Sequence, residues 1–100
     1  MSGKIYTIDE IRSAVQPIAK QYGVDKVYLF GSYARGDATA DSDIDLRIDK
    51  GRLKGLIMLG GLYSDLQEKF DKGLDLLTTA SLDNTFLERI SSEEVLIYED

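Results

Sequence analysis

The strictest pattern in this sequence is an alternation of charged and apolar side chains over residues 43–49. Ile44, Leu46 and Ile48 occupy every second position, and the residues between them are aspartate or arginine. Side chains two apart on a strand leave the same face of the sheet, so this period predicts a strand with one buried and one charged face. The apolar face needs a covering layer, which favours a sheet packed against helices.

Patterns on both sides of that strand predict these helices and further strands. Thr7 and Glu10 form a capping-box pattern that begins a helix, and Gly23 is placed to end it. Pro17 lies inside this helix, and we expect a bend near Ser13. Strands separated by helices predict an α/β (α+β) fold, as one domain spanning residues 1–100. The other predicted elements are strands at 27–30, 74–77 and 95–98, a helix from Leu59 through Phe70 that stops at Lys72-Gly73, and a short helix at 86–90.

The composition restricts the chemistry and the partners. The 100 residues include no Cys and no His, which excludes disulfides, zinc sites built on thiolate or imidazole, and Ser-His-Asp triads. The net charge of −6 argues against direct binding of duplex DNA, which needs clustered Lys and Arg. No apolar run approaches the roughly 20 residues that span a bilayer, and no leader-like segment opens the chain. We therefore expect a cytoplasmic protein without a membrane partner.

Residues 31–46 combine a candidate phosphate-binding turn with a pair of carboxylates. Gly31-Ser32 follows a predicted strand and opens a short helix, and backbone amides at such a turn, with the Ser32 hydroxyl, suit phosphate oxygens. Asp43 and Asp45 follow after ten further residues and share one face of the predicted strand. Asp75 stands between two leucines of another predicted strand, where a buried charge is costly unless it is paired or bound to a metal.

Two ionised carboxylates at this spacing repel each other by about 3 kcal/mol. Either a raised pKa keeps one of them neutral, or a divalent metal neutralises the pair. Mg²⁺ takes one or two carboxylates together with substrate phosphates, which suits this segment. An EF-hand is excluded because Leu46 and Arg52 stand at its glycine and glutamate positions, and a P-loop because Asp37-Ala38 replaces its Lys-Ser/Thr. A merely solvated acidic face would explain neither the Gly-Ser turn nor Asp75.

The extended pattern resembles the signature of the DNA polymerase β-like nucleotidyltransferase superfamily. Its smallest branch, the minimal nucleotidyltransferases, has G-S-x-A-R-G followed by S-D-x-D-L, and this chain has the same letters at residues 31–36 and 42–46. Members of that branch are the antitoxin-type partners of HEPN toxins. The resemblance runs from about Ile8 to Tyr98. It implies the nucleotidyltransferase fold, a small mixed β-sheet flanked by helices.

The resemblance also implies a role for each site residue. Gly31 and Ser32 would hold the β- and γ-phosphates of ATP. Asp43 and Asp45 would bind two Mg²⁺ ions, and Asp75 would bind the ion that activates the acceptor hydroxyl or take the hydroxyl proton. The two ions would stabilise the attacking and leaving oxygens of an in-line displacement. Pyrophosphate would leave, and AMP would remain on the acceptor.

A protein acceptor follows from the same resemblance. AMP would pass to a tyrosine hydroxyl on a HEPN ribonuclease toxin, and this chain would act as the antitoxin. The size of the chain agrees with this, because 100 residues leave no second domain to enclose a small acceptor. Two alternatives remain: nucleotidyl transfer to a small hydroxylated compound, and a non-catalytic module that only binds the toxin.

Four further features have simpler expected roles. We expect Arg47 to pair with Asp49 rather than to contact phosphate, although it follows the aspartates on the same face. Arg35 is expected to pair with a nearby carboxylate, and Tyr33 to pack. Gly60-Gly61 lies inside a predicted helix, where glycine is unfavourable, so the pair predicts the close approach of another helix.

Overall fold

The computed structural model describes residues 4–100 and confirms the predicted elements in type and order. In this part of the chain no helix is both long and apolar enough to pass through a membrane. The elements are α1 Ile8–Tyr22, β1 Lys26–Phe30, α2 Ser32–Arg35, β2 Ile44–Asp49, α3 Gly55–Glu68, β3 Leu74–Thr78, a 3₁₀ turn at Thr79–Ser81, α4 Asn84–Ser91 and β4 Val95–Glu99.

The four strands found in residues 4–100 form one mixed sheet in the order β3-β2-β1-β4. β1 is antiparallel to β2 and to β4, whereas β2 and β3 are parallel. A parallel pair needs a crossover connection, and α3 supplies it. The predicted fold class, a small mixed β-sheet with helices, is confirmed.

The two faces of the sheet have different surroundings. Ile44, Leu46 and Ile48 are fully buried, and the residues between them on β2 are partly exposed. The buried face packs against α1 and α3, so Asp45 and Arg47 point to the opposite side of the sheet. The prediction of a half-buried strand is therefore confirmed. The helical side of this core includes Ile11, Val15, Leu62 and Leu66.

The first helix follows from its local sequence. The Thr7 hydroxyl accepts a hydrogen bond from the Glu10 amide at 3.0 Å, and the Glu10 carboxylate accepts one from the Thr7 amide at 2.9 Å. Gly23 ends the helix in the left-handed conformation, with φ 73°. Between these caps α1 runs without interruption through Pro17. The predicted bounds of this helix are confirmed.

The second long helix begins and ends earlier than its apolar spacing predicts. α3 starts at Gly55, before the predicted start at Leu59, and ends at Glu68. The Gln67 side-chain amide donates to the backbone carbonyls of Phe70 at 3.4 Å and Lys72 at 2.6 Å. These bonds direct the chain out of the helix, while Phe70 stays buried. Phe70 thus continues the apolar spacing without belonging to the helix.

Candidate active site

The turn at Gly31 lies directly beside the carboxyl group of Asp45. Gly31 has φ 75° and ψ −156°, a backbone conformation that residues with a side chain rarely adopt. A Cβ atom at this position would also overlap Oδ2 of Asp45. Only glycine satisfies both restrictions. Its presence allows α2, which begins at Ser32, to start next to the Asp45 carboxyl group. The predicted phosphate-binding turn and Asp45 are therefore neighbours.

Asp45 and Asp75 meet across the parallel strands β2 and β3. The two residues are register partners, and their side chains share a hydrogen bond. Burial, this hydrogen bond and the negative charges of Asp75 and Asp43 raise the pKa of Asp45 from 3.8 to about 7. Asp45 is therefore partly protonated near neutral pH.

Two details of these carboxylates differ from expectation. Asp43 lies immediately before β2 rather than within it, and its Oδ1 lies so close to Gly73 that a Cβ there would be 2.5 Å away. The expectation that Asp75 is a buried charge is wrong. Asp75 is exposed because β3 is the outer strand of the sheet. Its carboxyl group is therefore open to a ligand.

Two phenylalanine rings pack together on the side of β2 that lies away from Asp75. Phe30 is the register partner of Asp45 on β1 and is only 8 % exposed. Phe86 of α4 packs edge-on against Phe30, with ring centroids 6.2 Å apart. Phe30 thus lies beside Asp45 on the sheet, and burial of Asp45 is the main cause of its raised pKa. Neither phenylalanine belongs to a motif, so the sequence does not indicate this aromatic pair.

Lys72 and Gly73 hold the segment that carries Asp43. Lys72 is 9 % exposed, and its ammonium donates to the carbonyl oxygen of Ala40 at 2.5 Å. The Ile44 amide donates to the carbonyl of Gly73 at 2.9 Å. These bonds fix the backbone on both sides of Asp43. The sequence does not indicate this contact of Lys72, because the Lys-Gly pair is typical only of the end of a helix.

Arg47 pairs with Asp49, as expected, and forms a closer ion pair with Glu94, which the sequence did not indicate. Nε and Nη2 donate to the two Glu94 carboxylate oxygens at 2.6 and 2.8 Å, whereas Nη1 lies 3.5 Å from Oδ1 of Asp49. Nη1 also donates to Oγ1 of Thr79 at 2.7 Å, and the guanidinium lies over the ring of Tyr28. The turn before β4 brings Glu94 to this position. Arg47 is thus fully engaged within the chain.

Arg35 has the structural role expected of it. Its guanidinium donates to Glu93 at 2.8 Å and to Asp37 at 3.2 Å, which links α2 to the turn before β4. Its positive charge also acts on Asp45, where it lowers the pKa and partly opposes the neighbouring carboxylates. Tyr33, on the same short helix, is buried in the core, as expected.

The carboxylate oxygens of Asp43, Asp45 and Asp75 are the hard ligands that Mg²⁺ prefers. Among residues 4–100 no three acidic side chains are arranged, as they stand, to hold a metal ion. Asp45 and Asp75 instead lie within hydrogen-bonding reach of each other. Loss of the proton between them would leave both carboxylates in need of a positive charge, so the chemistry of the donor set fits a divalent cation.

A mixed sheet that places a glycine-serine turn against paired aspartates is the arrangement of a nucleotidyltransferase. Residues 13–100 match the family model described as "Polymerase beta, Nucleotidyltransferase". The chain therefore belongs to the polymerase β nucleotidyltransferase family. As a member of this family it is an enzyme with a nucleotide substrate.

Individual relatives agree with this family. The chain is 38 % identical over 88 residues to a candidate protein adenylyltransferase of Methanocaldococcus jannaschii. This match covers 88 % of this chain and 95 % of the relative. The structure of a candidate minimal nucleotidyltransferase has a TM-score of 0.78 at 26 % identity, with 93 % of this chain and 98 % of the other covered.

A third likeness shows the fold alone. It is to a chain in the complex of a tri-AMPylated Shewanella oneidensis HEPN toxin with an MNT antitoxin. The TM-score is 0.70 at 17 % identity, covering 94 % of this chain and 74 % of the other.

Proposed function

We propose that this chain transfers AMP from ATP, with Mg²⁺, to a hydroxyl group of a partner protein. The observation that carries the proposal is the meeting of Asp45 and Asp75 beside Gly31, with the charge of Asp43 close by. In a carboxylate cluster of this kind, either protons or cations must offset the repulsion between the negative charges. A nucleoside triphosphate that binds together with Mg²⁺ brings the cations, and the turn at Gly31 faces its phosphates.

Each site residue then has a distinct task. Gly31 and Ser32 hold the β- and γ-phosphates at the start of α2. The two Mg²⁺ ions would be held by Asp43, Asp45 and Asp75, and their positive charge would offset the negative charge of the phosphates. Asp75, the most accessible position at the sheet edge, takes the proton of the acceptor hydroxyl. The acceptor oxygen forms a bond to the α-phosphorus while the bond from that phosphorus to pyrophosphate breaks.

A protein acceptor fits the open side of this site. Asp75 is exposed on the outer strand, and within residues 4–100 no further strand lies beyond it. The surface of another molecule can therefore reach the carboxylates. The name of the Methanocaldococcus relative and the AMPylated toxin of the Shewanella complex support the same choice. The acceptor we propose is a tyrosine of a HEPN toxin, and this cytoplasmic single-domain chain acts as the antitoxin.

Transfer of a labelled phosphate tests this function. The full chain is incubated with Mg²⁺, the product of the neighbouring gene and ATP labelled at the α-phosphate. We expect the label on the partner protein, and no label when ATP carries it at the γ-phosphate. Asp45→Asn should slow transfer by about 100-fold or more, because it removes a carboxylate of the cluster. Asp41→Asn, an exposed residue of the neighbouring loop, serves as the matched control and should transfer normally.

Other outcomes would assign a different function. Label on a small hydroxylated compound, with the partner protein absent, would indicate small-molecule modification. An Asp43→Asn, Asp45→Asn variant that still neutralises the toxin completely would indicate a non-catalytic binding module. An unlabelled partner with all four nucleoside triphosphates would contradict the proposed transfer.

A further inference from the structure

The outward face of α3 is apolar, although no other part of residues 4–100 covers it. Leu56 is 85 % exposed and Ile57 is 92 % exposed, and Tyr63 is also exposed. Large apolar side chains clustered on a surface mark a place where another molecule binds. The α3 outer face, as we name this surface, consists of Leu56, Ile57, Gly60, Tyr63 and Ser64.

Gly60 lies at the centre of the α3 outer face, and the fold of the chain does not account for it. A Cβ atom at Gly60 would have no neighbour within 4 Å, whereas one at Gly61 would lie 3.0 Å from the hydroxyl of Tyr22. Gly61 thus permits the close approach of α1, as predicted. Glycine in a helix interior is unfavourable unless something gains from the missing side chain. Closer contact with a helix from outside the chain would supply that gain at Gly60.

The charge pattern of the α3 outer face suits a second copy of the same chain. Residues 55–64 contain no charged side chain, although a net charge of −6 opposes self-association elsewhere on the surface. Lys54 and Glu68 are exposed at opposite ends of α3. When two α3 helices pack antiparallel, Lys54 of each copy comes near Glu68 of the other. Opposite charges therefore meet at both ends of an uncharged contact.

We propose that two copies of this chain associate through the α3 outer face, with their α3 helices antiparallel and crossing at Gly60. The same surface then meets itself across a two-fold axis, which is the commonest symmetry of dimers. α3 packs on the sheet face that carries Leu46, whereas Asp45 points to the opposite side. The dimer leaves both carboxylate clusters open, so this inference does not depend on the proposed function.

Sedimentation equilibrium of the full chain, over about 1–500 µM, measures the association directly. We expect a monomer that becomes a dimer as concentration rises. Ile57→Asp places two like charges in the contact and should weaken association by at least about tenfold. Ile5→Asp makes the same change at an isoleucine that is 51 % exposed elsewhere, and it should leave association unchanged.

Gly60→Gln keeps the test independent of folding. A Cβ atom at Gly60 meets nothing within 4 Å, so the melting temperature should not fall at low concentration, where the wild type is monomeric. At high concentration the longer side chain separates the two helices and should abolish the dimer. Lys54→Glu and Glu68→Lys should each weaken the dimer, and the double variant should restore it.

A wild-type chain that remains monomeric at every concentration overturns the proposal. If the wild-type chain is monomeric and Ile57→Asp weakens its binding to a different protein, the α3 outer face serves that protein and the proposal is overturned. A dimer that survives both Ile57→Asp and Gly60→Gln also overturns it. Because the experiment measures mass and not nucleotide transfer, its failure leaves the proposed function standing.

Discussion

Asp45 lies between its register partners Phe30 on β1 and Asp75 on β3, and its carboxyl group gives the protein a response to pH near neutrality. Its pKa of about 7 lies above the ordinary value of 3.8. The folded chain therefore keeps this proton at pH values where the unfolded chain has lost it. A pKa that is higher in the folded state means that the free energy of unfolding falls as pH rises from about 4 to 7. At neutral pH the folded protein is therefore less stable than a variant with an uncharged side chain at residue 45 would be.

Asp45→Asn should remove that loss of stability. In metal-free buffer at pH 8 we expect the variant to be more stable than the wild type by about 1 kcal/mol, a value reduced because the carboxyl is partly exposed. Below about pH 4 the two should unfold alike, since the wild-type carboxyl is then protonated. Urea unfolding at both pH values measures the difference. Asp41→Asn should change stability little, and equal stabilities of the Asp45→Asn variant and wild type at pH 8 would contradict the assignment.

The ion pair of Arg47 and Glu94 provides a second test at single residues. Both side chains are largely buried, at 11 and 7 % exposure, so removing the Glu94 charge leaves Arg47 with only its longer ion-pair contact to Asp49. Glu94→Gln should reduce the free energy of unfolding by about 3 kcal/mol. The neighbouring change Glu93→Gln breaks a more exposed pair with Arg35 and should lower it by less than about 1 kcal/mol. Similar losses for both variants in urea unfolding would be inconsistent with this difference in burial.

The sequence predicts some of these residues and not others for a physical reason. Strand geometry alone places Asp43 and Asp45 on one side, and the position of Gly31 before a helix indicates a turn. Glu94 lies 47 residues from Arg47, and only the folded path of the chain brings the two together. The exposure of Asp75 was not predictable either, because a leucine-flanked aspartate looks the same on an inner strand and on an outer one.

Helix bounds depend on local and distant contacts to different degrees. The capping box and Gly23 determine both ends of α1 from within the sequence. The end of α3 instead depends on Gln67, whose side chain binds carbonyl groups beyond the helix. Apolar spacing alone extends the predicted helix to Phe70 because a buried residue after a helix can keep the same period.

The two adjacent glycines of α3 should respond differently to alanine. Gly60→Ala should raise the free energy of unfolding by about 1 kcal/mol, because it adds helix propensity without a contact. Gly61→Ala should be less stable than Gly60→Ala, because its Cβ would meet Tyr22, whose hydroxyl is held by Asp65 at 2.6 Å. Thermal unfolding at low protein concentration, where self-association is negligible, compares the two. Gly61→Ala at or above the stability of Gly60→Ala would contradict the close packing of α1 on α3.

On the scale of the whole molecule, the sheet separates the core from the chemistry. One face is covered by α1 and α3, and the other carries Asp45 and Arg47. Arg47 is paired with Glu94, and the carboxyl groups of Asp45 and Asp75 lie together at the β2–β3 edge of that face. The mixed topology is what brings Asp45 next to Asp75. Because β2 and β3 are parallel and in register, the two carboxyls meet instead of lying at opposite ends of the sheet.

A crystal structure with Mn²⁺ and a non-hydrolysable ATP analogue tests the role of these carboxylates most directly, because the anomalous signal of manganese locates each ion. We predict manganese at about 2.1 Å from carboxylate oxygens of Asp43 and Asp45, with Asp75 on one ion and the analogue's phosphates against Gly31-Ser32. Manganese bound away from these aspartates, or phosphates held elsewhere on the chain, would contradict the account.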